Sequence, residues 1–370
     1  TEAWLKGLAP LIPILDRILE DPKRSDEDRL LARERKEKVN RLLAEISGLW
    51  EEAVAAQPAV VPGDSLNWEW QVLRRNPSAT VKAVPLSLRL LGLWPNGQER
   101  TLWDGKTAPT ANDLGDSLHR YIFRAALPEG MPMSGPFWKA EGPRSAHYSV
   151  PDFGSHRPES PPSLMVESHW AWSIGAMEIP VTLRTPLLYK WTDPVLGERY
   201  RPMEVVPAWQ LGLEPRQLVV PDGVRELRFR LSLRIEGGPT APKRTDTLRW
   251  GLAGWPEGWR LVSEPPLLLN PRPDSLYTWE AVLTTVGREG GQGGIVTPAV
   301  YRSVQGRWIP QELSSVVRLE YGHIPIQTRV VPVEATVVRL HQKSSGKVVG
   351  YLRGAGDETM TALAQMGYRV

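Results

Sequence analysis

Leu227, Phe229, Leu231, Leu233 and Ile235 recur at every second position of "RELRFRLSLRIEGG". A period of two drifts around a helix but keeps to one side of an extended chain, so this run must be a half-buried β-strand. Alternation also marks "VVPGDSLNWEWQVLRR" and "TVKAVPLSLRLLGLW", each bounded by Pro, Gly or Asn, residues that turn a chain between strands. The 35 prolines keep helices short and punctuate loops, and 16 tryptophans beside 4 phenylalanines suit pleated surfaces. The chain is expected to be mainly β.

The N-terminal part departs from this pattern. "TEAWLKGLAPLIPILDRILE" carries a short helix broken near Pro10 and Pro13. From Ser25, a capping residue precedes an acidic first turn and a long amphipathic run. Val39, Leu42, Leu43, Ile46, Leu49, Trp50 and Val54 then recur at helical spacing. Together these predict an antiparallel helical hairpin over 1–57, whose apolar stripe packs on a neighbouring domain. Two immunoglobulin-like β-sandwiches follow over 58–204 and 205–342. The first holds a Pro- and Ser-rich surface excursion from Gly135 to Pro162. "LPEGM" at 127–131 and "WPEGW" at 255–259 faintly echo each other between the two. Over 343–370, "GKVVGYLRGAGDETMTALAQMGYRV" reads as strand, glycine turn, helix and the start of a second strand. A parallel α/β unit needs that second strand to bury its faces. With Thr1 in place of an initiating Met, this leads us to expect an excerpt of a larger protein.

Composition narrows the function. The 45 Lys and Arg nearly balance 42 Asp and Glu, and no segment concentrates basic residues among aromatics, so nucleic acid is not an expected partner. Zero cysteines removes disulfides, thiolate metal sites and cysteine nucleophiles. No apolar run approaches the ~20 residues of a membrane span.

Several stretches, taken together and in order, carry a resemblance: "PGDSLNWEW", "GPFWKAEGPRSAHYSV", "PPSLMVES", "EIPVTLRTPLLYKWTDPVLGERYRPMEVVPAW", "WPEGWRL", "LEYGHIPIQTRVVPVEATV" and "KVVGYLRGAGDETMTALAQMGYRV". The chain is similar to the region that follows the catalytic domain in large bacterial members of the PIG-L (LmbE-like) deacetylase family. The resemblance implies a preceding zinc-dependent domain with a His-Pro-Asp-Asp-Glu motif, a helical connector and sandwiches of the α-galactosidase-associated (NEW3) type. It also implies that the C-terminal residues start a glutamine-amidotransferase-like domain, and that the protein is extracytoplasmic or secreted. The zinc motif is absent here, and "VPDFGSH" and "TDP" do not match it. Zinc is therefore expected only in the catalytic domain, with no cofactor in this chain and the parent protein's other domains as its partners.

Other chemistry is sparse. None of His119, His147, His156, His169, His323 and His341 pairs at zincin spacing; His147 and His156, with Asp152 between them, read as solvated loop residues. "GAGD" lacks both the third glycine of a dinucleotide loop and the Gly-Lys-Ser/Thr of a Walker loop. Gly354 and Gly356 are expected in a strand-to-helix turn, with Asp357 or Thr359 as cap. Asp193 with Glu198, and Glu141 with Asp152, are carboxylate pairs of the kind any β protein offers, and no Gly-x-Ser-x-Gly elbow is present. One idea has a physical basis. In "SHWAWS" and "NWEW", Trp170 with Trp172 and Trp68 with Trp70 share a side of a strand. Facing solvent, either pair would grip a glycan; facing inward, it would fill a sandwich core. The expected role is an accessory, non-catalytic segment that spaces or docks an N-acetyl-sugar deacetylase, with a carbohydrate-binding module and a cryptic hydrolase sited in the excursion as alternatives.

Overall fold

The computed structural model describes residues 2–75, 81–105, 117–140, 147–150, 159–236, 246–272, 275–287, 290–343, 347–354 and 358–370. The chain is mainly β with an N-terminal helical hairpin, and it divides into two compact units. Unit 1 comprises Thr1–Val206 and Arg318–Thr328; unit 2 comprises Pro207–Val317 and Arg329–Val370.

Unit 1 opens with α1 (Glu2–Leu8), α2 (Leu11–Glu20) and α3 (Asp26–Ile46). Pro10 ends the first break and Pro13 sits inside α2. In the first turn its missing N–H removes no helical hydrogen bond, so only one of the two prolines interrupts the helix. Ser25 caps α3 in a reciprocal box: its Oγ accepts from the Asp28 N–H at 3.1 Å, and the Asp28 carboxylate accepts from the Ser25 N–H at 3.4 Å. The apolar stripe expected to run on through Val54 stops at Ile46. Ser47 is the C-cap, and Gly48 takes φ +76°, where a Cβ would lie 2.1 Å from the Arg75 carbonyl oxygen. Leu49, Trp50 and Val54 therefore belong to a strand, β1 (Leu49–Ala55). The hairpin is no separate body: Leu5, Ile12 and Leu43 share one apolar cluster with the strands.

The remaining strands of unit 1 are β2 (Ala59–Val60), β3 (Ser65–Arg74), β4 (Val81–Leu93), β5 (Glu99–Gly105), β6 (His119–Ala126), β7 (Lys139–Ala140), β8 (Tyr148–Ser149), β9 (Leu164–Ile174), β10 (Met177–Asp193), β11 (Gly197–Pro202) and β12 (Glu204–Val205). The main sheet runs β5-β4-β9-β10-β1-β3-β6, with β11 hung on β10. β10 serves two layers: Met177–Pro186 pair antiparallel with β9, whereas Leu187 and Leu188 lie parallel to β1. Side chains of the two arms meet inside, with Trp70 of β3 5.9 Å from Trp170 of β9. This is sandwich packing made from one continuous sheet.

Unit 2 adds β13 (Trp209–Glu214), β14 (Gln217–Asp222), β15 (Glu226–Ile235), β16 (Thr247–Gly254), β17 (Trp259–Leu261), β18 (Leu267–Leu269), β19 (Ser275–Thr285), β20 (Gly294–Val304), β21 (Arg307–Pro310) and β24 (Ala335–Lys343), while β22 (Ser315–Leu319) and β23 (Gln327–Val331), which pair with each other, each have residues in both units. Two sheets, β13-β15-β19-β17 and β14-β24-β20-β16-β18, face one another, with Trp250 and Trp279 meeting at 6.4 Å. The alternating residues Leu227 to Ile235 of β15 are all buried. At the C-terminus, Val348 bridges in parallel to Arg369, and α4 (Thr359–Gln365) connects them. Of the expected strand–helix–strand start, the described residues show the helix and one isolated parallel bridge, and they fall within unit 2. The helix cap differs: Glu358 precedes the helix without a side-chain capping bond, Thr359 is its first residue, and Gly356 and Asp357 lie outside the described residues.

Candidate functional site

All four tryptophans proposed as a platform are interior. Trp68 and Trp70 are 1% exposed, and Trp170 and Trp172 are 0% exposed. Trp68 packs against Trp103 at 5.6 Å and Phe123 at 4.8 Å. A fully covered indole offers no face to a sugar ring, so these residues build the core. Two-residue spacing puts each pair on one side of its strand, as the sequence indicates. Which side follows from parity, because Leu66 and Val72 in β3, and Val166 and Ile174 in β9, share the indoles' face and are buried.

The charged groups that do converge carry no local sequence pattern. Glu204, only 3% exposed, accepts from Arg318 Nε at 3.1 Å and Nη2 at 2.8 Å. It also pairs with Arg201 Nη2 at 3.0 Å and accepts from the Thr328 hydroxyl. The ribbon β10–β11 positions this clamp. Tyr189 stands opposite Arg201, and Trp191 opposite Arg199. The Arg199 and Arg201 guanidiniums lie 5.6 and 5.9 Å from the Trp191 ring, and Arg199 pairs with Glu320 at 3.0 Å. Burial, and then the Arg318 charge, hold the Arg201 pKa below its usual value against the pull of Glu204. With both oxygens engaged by cations, Glu204 is an ionic lock rather than a base or nucleophile.

A second cluster involves a histidine the sequence did note. His169 Nε2 lies 3.0 Å from Glu167 Oε1, and its Nδ1 lies 3.2 Å from Thr182 Oγ1. Carboxylate, imidazole and hydroxyl in a row is the order used in nucleophilic catalysis. Here Arg184 binds Glu167 at 2.9 Å and Glu99 at 3.0 and 2.6 Å, so both Glu167 oxygens are engaged and both imidazole nitrogens are tied. The other pairs resolve locally. Asp193 accepts from the Val195 and Leu196 N–H groups at 2.8 and 2.9 Å, and those bonds lower its pKa. Glu198 pairs with Lys190 at 3.2 Å. His147 is exposed, while Glu141, Asp152 and His156 lie outside the described residues. Among the described residues no group of three or more His, Cys, Asp or Glu side chains is placed to hold a metal.

The glycine loop before β20 also has a packing role. Trp259 Nε1 donates to the Gln292 carbonyl at 2.9 Å, and a Cβ on Gly291 would sit 2.0 Å from that nitrogen. Gly291 makes room for an indole from "WPEGW".

No protein-family model and no curated protein matches this chain. Among solved structures, it is similar to a DUF4785 family protein from Legionella pneumophila at 11% identity and TM-score 0.24, covering 72% of this chain and 55% of that one. It is similar to the Escherichia coli adhesin FdeC at 14% identity and TM-score 0.19, covering 80% of this chain and 65% of that one. For Salmonella alpha-2-macroglobulin the values are 12% identity and TM-score 0.22, over 79% of this chain and 16% of that one. The chain thus spans about half the length of the Legionella protein. Likeness at these scores carries no argument about activity.

Proposed function

We propose that this chain is an accessory segment without a catalytic centre, which spaces or docks the zinc-dependent domain of a PIG-L (LmbE-like) N-acetyl-sugar deacetylase. The family rests on the sequence stretches quoted above. The observation that carries the accessory role is how the reactive side chains are used. Glu204, Glu167 and His169 are bound into internal ion pairs and hydrogen bonds, and the indoles are packed in the core. In this reading the metal and the glycan belong to the catalytic domain, as the family resemblance implies. An extracytoplasmic location follows the family alone.

The coding sequence on either side of Thr1 and Val370 tests the proposal. A His-Pro-Asp-Asp-Glu motif upstream is expected, and neighbours unrelated to any deacetylase would overturn the family reading. The chain alone, supplied with zinc and N-acetylated sugars, should give no turnover. Turnover abolished by His169→Ala would instead establish a hydrolase built on the Glu167–His169–Thr182 row.

A further inference from the structure

Inside the sandwich of unit 1 lies a carboxyl group that no ion pair uses among the described residues. Glu51 follows the parity of Leu49, Ala53 and Ala55, the inward residues of β1. The residue as a whole is half-buried, but its carboxyl reaches two strands of the opposite arm. Ser168 Oγ of β9 donates to Glu51 Oε2 at 2.7 Å, and Thr185 Oγ1 of β10 donates to Oε1 at 3.1 Å. Behind Ser168, the Trp170 indole N–H donates to the same Oγ at 2.8 Å. The Trp70 indole lies near enough to favour the carboxylate, although its N–H makes no hydrogen bond of ordinary geometry. The contacts fall where β10 passes from pairing with β9 to pairing with β1.

The groups that contact the Glu51 carboxyl are neutral, and the charged group next to them on the inward face of β3 is the buried Arg74. β9 presents Ser168 and Trp170, β10 presents Thr185, and β3 presents Trp70 and Val72. The charged neighbours are committed elsewhere: Arg74 to the Val81 carbonyl, Glu52 to Lys190 at 2.8 Å, and Glu167 to Arg184 at 2.9 Å. Glu37 of α3 pairs with Arg184 at 3.7 Å. Hydroxyl and indole donors offset only part of the cost of enclosing a charge. The neutral acid lacks that cost and loses no contact: Oε2 still accepts from Ser168, while a proton on Oε1 is donated to Thr185, whose hydroxyl turns to accept.

We propose that Glu51 is a protonation-dependent crosslink, in which the neutral carboxyl ties β1 to β9 and β10 and its ionisation loosens the sandwich of unit 1. Desolvation by the packed core raises the Glu51 pKa, outweighing the bonds from Ser168 and Thr185. The folded state therefore holds the proton more tightly than the unfolded chain. This contribution to stability is complete below the ordinary glutamate pKa of about 4.3, and is lost as pH rises through the higher folded value.

The test is thermal unfolding of the full chain from pH 4 to pH 8, followed by tryptophan fluorescence, for wild type and Glu51→Gln. The amide keeps the shape and the hydrogen bonds without a charge. The variant should melt higher than wild type above pH 7, by about 3–5 °C for each unit by which the folded pKa is raised, and the gap should close toward pH 4. Parallel curves, or a variant less stable at high pH, would overturn the proposal. A difference infrared spectrum, wild type minus Glu51→Gln, supplies an independent readout. A protonated-carboxyl band persisting to higher pH than that of an ordinary glutamate is expected, and a band lost at the pH of an ordinary glutamate would overturn it as well.

Discussion

The interiors of the two units are built on opposite terms. Unit 1 buries Asn40, Arg74, Glu167, Ser168 and Glu204, whereas among the described residues of unit 2 only Gln210 and Ser315 are buried and polar. Unit 2 follows its sequence simply: β15 turns an unbroken apolar row inward and its arginines outward. Unit 1 has to join a helical hairpin, a strand shared by two arms, and residues 318–328 from far along the chain. Apolar contacts are non-directional and hold such pieces in many registers, while buried polar pairs tolerate few. The difference suggests that unit 1 trades stability for a single arrangement, and each substitution below tests that contrast.

The largest effect is expected at Glu204. Glu204→Ala leaves Arg201 and Arg318 without their shared counter-charge in a covered site, and loss of one member of a buried ion cluster costs about 3–5 kcal/mol. Chemical denaturation of the full chain should show an early transition, with unit 2 unfolding where it did before. A single unshifted transition would show that the clamp does not hold unit 1. In unit 2 the weak point should be geometric. Gly291→Ala drives a methyl into the Trp259 indole, 2.0 Å from Nε1, and overpacking of this kind costs about 1–3 kcal/mol. The late transition should move while the early one stays.

The same contrast explains what the sequence revealed. The strand from Leu227 to Ile235 and the cap at Ser25 were legible because period and capping are written in consecutive residues. Ser47-Gly48 was an equally local stop signal, yet apolar residues at helical spacing continued past it and concealed β1. Parity with Leu66 and Val166 was available to turn the tryptophans inward. The Glu204 clamp was not available in any local pattern, because Arg318 and Thr328 lie 114 and 124 residues away and only the completed fold brings them together. Glu51 was hidden in a similar way, since an acid among charged residues looks solvated until β1 is recognised as a strand.

A smaller effect is expected at Ser25, where Ser25→Ala removes half of a capping box at the start of α3. Caps of this kind contribute about 1 kcal/mol, and the loss should fall on the early transition, because the hairpin shares the unit 1 core.

The smallest expected effect sharpens the comparison most. Arg228 is ion-paired twice, with Glu226 at 2.6 Å and Glu280 at 2.5 Å, so on distance alone it rivals Arg318. Its side chain is 60% exposed, however, and those of its partners 43% and 57%. Water and salt screen such pairs, and ordering three long side chains offsets most of what attraction remains. Arg228→Met should therefore leave both unfolding transitions where they were, at low and at high salt, while the effect of Glu204→Ala persists in both. If instead Arg228→Met moved the late transition at low salt and not at high salt, the outward charges of unit 2 would be holding its sheet together, and the contrast between the units would fail.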